Sequence, residues 1–266
     1  MMLNEPIKIE SINDSRIRYY KSMKDNLVDK LNNGLFIAEG DKVVLKLLES
    51  NHIIISILAK YEFFQNNESF ICGHPDVELL YADEVLLKDI IGFKMHTGVM
   101  ALAMKPKPVN LKELGTTIVC LNGIVDSENV GSIVRNASAF GIKSIMSDNA
   151  TSSPYLRRAV RVSMGQIFSM RYYRSNELFD DLKKLKTSHQ IISAENHERA
   201  ESLFDNMITG NKVIIFGNES TGISDDLLGL SDYIIKIPIE NGVASINVAT
   251  SSGIILSFMK YCNYIK

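Results

Sequence analysis

The chain has 266 residues, of which 45% are hydrophobic and 23% are charged, and its formal net charge is −2. This length exceeds one average domain and the composition is that of a globular protein, so two domains with ordinary cores are expected. The net charge excludes a surface that is basic throughout, so any contact with nucleic acid must come from local patches.

The cysteines and histidines favour a reducing compartment and no bound metal. Cys72, Cys120 and Cys262 show no paired spacing, and Cys120 lies in an apolar strand as a small buried hydrophobe. The five histidines fall at no metal-ligand spacing. No apolar run reaches the length of a membrane span. A soluble cytoplasmic protein without disulfides, metal or membrane contact is therefore expected.

The first part of the chain alternates helical and strand patterns, which predicts a small α/β domain over residues 1–104. Helices are predicted over 16–31, 40–50 and 82–91, and strands over 35–38, 53–59, 78–81 and 99–104. Two prolines and two lysines between 105 and 110 can continue neither element, so a linker is predicted over 105–112.

A second domain is predicted over 113–266, opening with a βαβ unit. A strand over 116–121, a polar loop, a helix over 129–141 and a strand over 143–146 imply a parallel sheet with a ligand crevice at the carboxyl ends of its strands. A later apolar strand over 212–216 precedes a glycine-rich turn over 217–224, whose backbone N–H groups can hold a polar ligand. The turn lacks the spacing of dinucleotide-binding and phosphate-binding loops.

A third loop follows near the C-terminus, over residues 237–253. It predicts a strand ending at Pro238, a turn at Asn241 and Gly242, and a helix capped by Ser245 or Asn247. That helix begins with alanine, serine and glycine, and such small residues let a backbone or a flat ligand approach. Tight packing of a C-terminal helix is the alternative explanation.

Two basic segments are candidates for nucleic-acid contact. The first contains Arg16, Arg18, Lys21 and Lys24 around two tyrosines and is more typical of a solvated helix face. The second, over 151–174, holds five arginines and no acidic residue. Within it, the predicted nucleic-acid contacts are Arg157, Arg158 and Arg161.

Three stretches resemble the ordered motifs of the SpoU/TrmH family of RNA ribose 2′-O-methyltransferases. They are N-V-G-S-I-V-R-N-A-S-A-F-G (129–141), F-G-N-E-S-T-G-I-S (216–224) and I-P-I-E-N-G-V-A-S-I-N-V-A-T-S-S-G (237–253). F-I-A-E-G (36–40) resembles the start of the family's N-terminal RNA-binding domain. The resemblance implies an α/β fold in which a small RNA-binding domain precedes a parallel-sheet domain with a C-terminal trefoil knot, an exception to the rule against knots.

The resemblance also implies S-adenosylmethionine as methyl donor and assigns the site residues. The implied cofactor contacts are Gly217, Asn218, Gly222, Ile237, Pro238 and Ile246. The implied catalytic residues are Asn129, Arg135, Glu219, Ser245 and Asn247. Arginine is a poor base, so we expect Arg135 to orient the acceptor and stabilise a developing alkoxide, with Glu219 holding its guanidinium.

The chain departs from the family pattern at Ile239, Ala244 and Thr250, and Ala244 brings the local hydrogen bonding into question. The resemblance implies a homodimer and a structured RNA substrate, with ribosomal RNA first, transfer RNA second and no DNA. The alternative of another class is a non-catalytic RNA-binding or ribosome assembly factor that keeps the fold. The presence of Asn129, Arg135, Glu219 and Asn247 weighs against it.

Overall fold

The computed structural model describes residues 5–21, 34–92, 98–205, 207–240, 242–243 and 245–264. It divides the chain into two compact units: unit 1 comprises Met1–Pro106 with Tyr155–Phe168, and unit 2 comprises Lys107–Pro154 with Ser169–Lys266. The sequence-based division differs in one respect, since it placed 155–168 in the second domain. In the described residues, no helix is long and apolar enough to cross a membrane.

The described elements alternate along most of the chain. The strands are β1 (Ile7–Lys8), β2 (Leu35–Glu39), β3 (Ile54–Ala59), β4 (Glu78–Tyr81), β5 (Val99–Met104), β6 (Thr117–Asn122), β7 (Ser144–Ser147), β8 (Arg171–Arg174), β9 (Gln190–Ala194), β10 (Glu201–Ser202), β11 (Lys212–Gly217) and β12 (Tyr233–Lys236). The α-helices are α1 (Asp41–Leu48), α2 (Tyr61–Asn66), α3 (Glu68–Ile71), α4 (Glu84–Ile91), α5 (Ser127–Ala139), α6 (Arg157–Val162), α7 (Leu178–Leu185), α8 (Asp225–Leu230) and α9 (Val248–Tyr264).

Unit 1 is built on a mixed sheet with the strand order β1-β4-β3-β5-β2. The four strands predicted from the sequence are present within a residue of their predicted limits. The helix predicted over 16–31 begins instead as a 3-10 turn at Ser15–Tyr20, and residues 22–33, including Lys24, lie outside the described residues. Tyr20 secures this turn, because its buried hydroxyl donates to the carbonyl of Ser56 (2.9 Å) and accepts from the N–H of Leu102 (3.2 Å).

The segment Tyr155–Phe168 packs with unit 1 through charge and aromatic contacts. The side chain of Glu39, at the end of β2, is 8% exposed and accepts a hydrogen bond from Arg157. Arg161 lies 3.5 Å from the same carboxylate. The ring of Phe36 contacts those of Tyr155 (5.3 Å) and Phe168 (5.6 Å between centroids). Sequence patterning follows chain order, so it could not reveal that this segment belongs with residues far upstream.

Unit 2 is organised around a seven-stranded sheet with the order β10-β12-β9-β11-β6-β7-β8. Every pairing is parallel, as the βαβ pattern predicted. The central strands β6 and β11 are almost wholly buried, as their β-branched composition indicates. Burial raises the pKa of the Cys120 thiol far above its ordinary value, so Cys120 is a protonated core group.

The C-terminal helix α9 packs against α5. Asn136, on α5, donates from its side-chain amide to the carbonyl of Ala249 (2.8 Å) and to the hydroxyl of Ser252 (2.9 Å). A Cβ added at Gly253 would lie 3.4 Å from the same amide nitrogen. The small residues of this helix thus allow the close approach that the sequence suggested.

Candidate functional site

A cleft opens where the parallel strands β9, β11 and β12 end. Their last residues, Ala194, Gly217 and Lys236, line it together with the start of α9. Carboxyl ends of adjacent parallel strands are the usual place for a ligand in an open α/β sheet. Of the residues predicted for the site, Gly217, Asn218, Glu219, Ile237, Ser245, Ile246 and Asn247 line this cleft.

Four predicted residues do not line that cleft. Gly222 borders a neighbouring cleft on the other side of the 218–222 turn, which Asn218 also lines. Pro238, Asn129 and Arg135 line neither of these two clefts. The departure residue Ile239 lies in the cleft wall, whereas Asn241 and Ala244 lie outside the described residues.

Gly217 occupies a position that admits no side chain. A Cβ there would lie 2.6 Å from the carbonyl carbon of Gly222 and 2.7 Å from the amide nitrogen of Ile223. Gly222 adopts a φ of +69°, where L-residues are strained, and a Cβ at this position would meet the carboxylate of Glu195 at 2.7 Å. The glycines therefore let the turn fold back against the end of β11.

Asn218 shapes the turn with its side chain. Its Oδ1 accepts from the N–H groups of Ser220 (2.8 Å) and Thr221 (3.1 Å). Its Nδ2 donates to the carbonyl of Gly123 in the loop after β6 (2.7 Å). Such side-chain bonds to nearby backbone are typical of asparagine in turns. Asn218 thereby joins the second sequence motif to the loop that precedes the first.

A hydrogen-bonded chain joins all three motifs at the edge of the cleft. Asn247 donates from Nδ2 to Oδ1 of Asn129 (3.1 Å), and Asn129 donates from Nδ2 to the carboxylate of Glu219. The Oδ1 of Asn247 also accepts from the N–H of Ala249 (2.8 Å), so Asn247 caps α9. Of the two predicted caps, Asn247 is the one the structure uses.

Arg135 is exposed on α5. Within the described part of the chain, its guanidinium has no hydrogen-bond or ion-pair partner. The expected pair between Arg135 and Glu219 is absent, and Glu219 accepts from Asn129. Asn129 and Asn136 are seven residues apart and share the face of α5 that meets α9, whereas Arg135 is rotated off that face. Its charge is available to a ligand.

Some cleft residues have no counterpart in the sequence prediction. Glu195 and Asn196 follow β9 directly and line the cleft. The Oε2 of Glu195 accepts from the N–H of Ile223 (2.9 Å), which fixes the far side of the glycine turn. A signal was present, since a buried β-branched run ends there in two polar residues. Asn136 was also missed, although its spacing from Asn129 places both on one helix face.

The arginines predicted to bind RNA differ in their surroundings. Arg157 and Arg161 face Glu39 in unit 1, and the side chain of Arg157 is only 14% exposed. Arg158 lies on the exposed face of α6. In unit 2, Arg174 donates to the side chain of Asn149 (3.1 Å). The described residues contain no group of histidine, cysteine or acidic side chains that could hold a metal ion.

Comparison with known proteins identifies a family and several relatives. The model of the SpoU rRNA Methylase family matches residues 116–257. An uncharacterized tRNA/rRNA methyltransferase of Mycobacterium bovis is 28% identical over 227 residues, which cover 83% of this chain and 78% of that protein. The 23S rRNA (guanosine-2′-O-)-methyltransferase RlmB of Vibrio vulnificus is 26% identical over 169 residues, covering 60% of this chain and 68% of that protein.

Solved structures share the fold. An AdoMet-bound rRNA methyltransferase from Sinorhizobium meliloti matches with a TM-score of 0.82 at 20% identity, covering 96% of this chain and 97% of that chain. The parallel-sheet α/β fold is therefore that of known SpoU methyltransferase structures. Because the family match spans more than half of the sequence, the chain belongs to the SpoU rRNA Methylase family.

Proposed function

We propose that this protein transfers the methyl group of S-adenosylmethionine to a ribose 2′-hydroxyl of RNA. The observation that carries the proposal is the bonded chain Asn247–Asn129–Glu219, which brings three distant motifs together beside one cleft. Family membership supports methyl transfer to RNA as the reaction. The named activity of the RlmB relative supports the 2′-hydroxyl as the acceptor.

The cleft has both the apolar wall and the polar groups that the cofactor needs. Isoleucines 237, 246 and 255 supply an apolar wall for an adenine ring, while Asn218 and Ser245 are polar groups at its border. A Cβ at Gly217 would meet the backbone of Gly222 and Ile223, so this glycine keeps the 218–222 turn close to the end of β11, where peptide groups border the cleft. S-adenosylmethionine bound there would supply an activated methyl group on sulfur. Gly217, Asn218, Ile237 and Ile246 are our proposed contacts, whereas Gly222 and Pro238, which the resemblance also implied, lie outside the lining of this cleft.

The residues around the cleft would act mainly by positioning. A methyl transfer needs the acceptor oxygen in line with the methyl group, and the hydroxyl proton must leave. Arg135 keeps its charge, so we assign it to orienting the ribose or a phosphate and to stabilising negative charge developing on the oxygen. Asn129 and Glu219 hold the start of α5 against the glycine turn, Asn247 holds the start of α9, and Ser245 is a polar group of the cleft wall.

Ribosomal RNA is the proposed substrate, with transfer RNA as the second choice. The RlmB relatives are named for 23S rRNA, whereas the mycobacterial relatives carry both RNA classes in their names. A non-catalytic assembly factor remains the alternative of another class. The Asn129–Glu219 contact and the charge of Arg135, which has no partner among the described residues, favour an enzyme, since an assembly factor needs neither.

The N-terminal domain is proposed to recognise structured RNA. Its boundaries were predicted as 1–104, with a linker over 105–112 and the methyltransferase domain over 113–266. The packing of 155–168 with unit 1 implies that a fragment starting at Leu111 would expose the buried Tyr155 and Ile167. The test of this domain is therefore substitution on its exposed face, with Arg158 the first choice, and not deletion.

A homodimer and a C-terminal trefoil knot complete the proposal, both from the family resemblance. The strand order supports the knot, because β12 lies between β10 and β9 while the chain after it continues past the end of β11 into α9. Sedimentation equilibrium of the purified protein would measure the oligomeric state. A monomer at micromolar concentration would rule out the dimer.

Calorimetry with S-adenosylmethionine tests the cofactor site. Gly217→Ala forces the 218–222 turn to move, and overpacking of this kind costs about 1–3 kcal/mol, which corresponds to roughly 5- to 150-fold in affinity. Gly229→Ala is the matched control, because a Cβ at Gly229 meets no atom within 4 Å. Equal affinities for the two variants would disprove this cleft as the cofactor site.

Mapping of 2′-O-methyl groups in ribosomal and transfer RNA from a deletion strain tests the reaction itself. We expect one ribose in ribosomal RNA to lose its methyl group and to regain it when the wild-type protein, but not Arg135→Ala, is restored. Unchanged methylation in both RNA classes would favour the non-catalytic alternative.

A further inference from the structure

We infer that Asp148 is a positioning residue for methyl transfer, because its carboxylate accepts from the backbone N–H of Gly123, while the carbonyl of Gly123 accepts from Asn218. The inference rests on the proposed function. Asp148 directly follows β7, and its N–H donates to the carbonyl of Leu121 in β6 (3.2 Å). It therefore lies at the carboxyl edge of the sheet, beside the loop that leads into α5.

The carboxylate of Asp148 accepts four hydrogen bonds. Its Oδ2 receives the N–H of Gly123 and the side-chain amide of Asn122, both at 2.9 Å. Its Oδ1 receives the N–H of Thr151 (2.8 Å) and the hydroxyl of Thr151 (2.6 Å). A carboxylate with this many donors is held in one orientation, and charge-assisted bonds of this kind are about twice as strong as neutral ones. Asp148 thus fixes the loop after β6 to the loop after β7.

The backbone of Gly123 connects Asp148 to the glycine turn. Gly123 has a φ of +69°, and its carbonyl accepts from Nδ2 of Asn218 (2.7 Å). The next residue after Asn218 is Glu219, which accepts from Asn129. Asp148 is therefore two hydrogen bonds away from the turn that lines the cofactor cleft, although it lines only the neighbouring cleft.

Asp148 also constrains, through helix α5, the residues that would face the methyl acceptor. After Gly123 the chain runs to Asp126, whose Oδ1 caps α5 by accepting from the N–H of Glu128 (2.8 Å). Asn129 and Arg135 lie on that helix. The residues around the methyl donor and those that face the methyl acceptor are thus both positioned through the backbone of Gly123. Loss of its anchor would misplace them relative to each other, and a displacement of about 1 Å can cost 10²-fold in rate.

The experiment must separate positioning from simple stabilisation. Asp148→Ala removes all four bonds, and Asp232→Ala is the matched control. Asp232 also anchors a backbone N–H in unit 2, that of Ile191 (2.8 Å), and it pairs with Lys186, but it lies at the amino end of β12. Melting temperature, calorimetric affinity for S-adenosylmethionine and single-turnover methyl transfer at saturating RNA and cofactor are measured for both variants.

We expect both variants to melt at lower temperature, and only Asp148→Ala to transfer methyl more slowly, by about 10- to 100-fold. A folded Asp148→Ala with the wild-type single-turnover rate would overturn the inference alone. So would equal rate losses in both variants. If Asp148→Ala does not fold, Thr151→Val replaces it, since this variant keeps the shape and removes one bond to Asp148, together with the bond that the same hydroxyl accepts from the N–H of Ile124 (3.2 Å). A wild-type protein that methylates no RNA would overturn the proposed function as well.

Discussion

The side-chain amide of Asn247 donates to the side-chain oxygen of Asn129, which lies 118 residues earlier in the chain (3.1 Å). The bond joins the cap of the C-terminal helix to the first turn of α5. Asn129 uses its own amide hydrogens for Glu219, so its orientation is fixed from both sides. An amide in this setting suits positioning, because it neither gains nor loses a proton near neutral pH.

Glu219 provides the first test of this network. If its role is to hold Asn129, then Glu219→Gln keeps an acceptor oxygen and weakens one charge-assisted bond by about 1 kcal/mol, or roughly fivefold in rate. Glu219→Ala should lose more, because Asn129 then has no partner on that side. Single-turnover methyl transfer measures both variants. Equal and large losses for Gln and Ala would show that the carboxylate charge itself takes part in the reaction.

Much of this site could be predicted from sequence, since Asn129, Glu219 and Asn247 belong to short ordered motifs and also carry local signals. A cap before a small-residue helix and a glycine turn after a buried strand are local features. The Asn129–Glu219 contact is a different matter. It depends on two loops meeting across a sheet, and either Arg135 or Asn129 could have filled the place beside the carboxylate.

The fold shows the same division between local and distant information. Strand limits in unit 1 follow from short apolar runs, and the parallel sheet follows from the βαβ spacing. The place of α6 does not, because its partner Glu39 is 118 residues upstream of Arg157. From the sequence alone, a run of arginines indicates an RNA-binding patch. Only the structure reveals the buried acid that faces it.

That finding separates the three predicted RNA-binding arginines. Arg158→Ala should reduce the salt slope of RNA binding by about one unit, because an exposed arginine that contacts a phosphate releases counterions. Arg157→Ala should instead destabilise unit 1 by about 3 kcal/mol, because it leaves the buried Glu39 facing only Arg161. RNA affinity at several salt concentrations and urea unfolding distinguish the two effects. A full unit of salt slope lost in Arg157→Ala would restore it as a phosphate contact.

His52 should make unit 1 sensitive to acid. Burial lowers the pKa of its imidazole, and its ring contacts Phe36 (5.8 Å) and Phe168 (5.2 Å between centroids). Its Nδ1 meets the hydroxyl of Ser50 (2.9 Å), while its buried Nε2 has no partner among the described residues. Charging the ring would leave an uncompensated buried cation.

The sign follows from the lowered pKa. Above the ordinary pKa of about 6.5, the ring is neutral in both the folded and the unfolded protein, so the titration of His52 costs no stability. As pH falls toward the lower folded-state pKa, only the unfolded chain takes up the proton, so stability declines by at most about 1.4 kcal/mol per pH unit. Urea unfolding between pH 7.5 and 5 should show this slope in wild type and a smaller one in His52→Gln. Parallel curves would exclude His52 as the cause.

The catalytic role proposed for Arg135 can be tested most directly. Arg135→Ala should leave folding and S-adenosylmethionine binding nearly intact, because its side chain has no partner in the described structure and does not line the cofactor cleft. Methyl transfer should fall by roughly 10²- to 10⁴-fold, the range for loss of one positioned acid–base or electrostatic group. Arg135→Lys should recover little, since lysine keeps the charge but loses the planar fork that orients an oxygen acceptor.

Arg171→Ala is the control for the loss of one positive charge. Arg171 is exposed at the amino end of β8 and donates to the carbonyl of Glu113 (3.2 Å), on the edge of the sheet opposite to the cleft. Single-turnover methyl transfer with saturating RNA and cofactor isolates the chemical step from binding. If Arg135→Ala and Arg171→Ala both transferred methyl at the wild-type rate, Arg135 would be a solvated surface charge, and the acceptor would have to be oriented by groups on another face of the cleft.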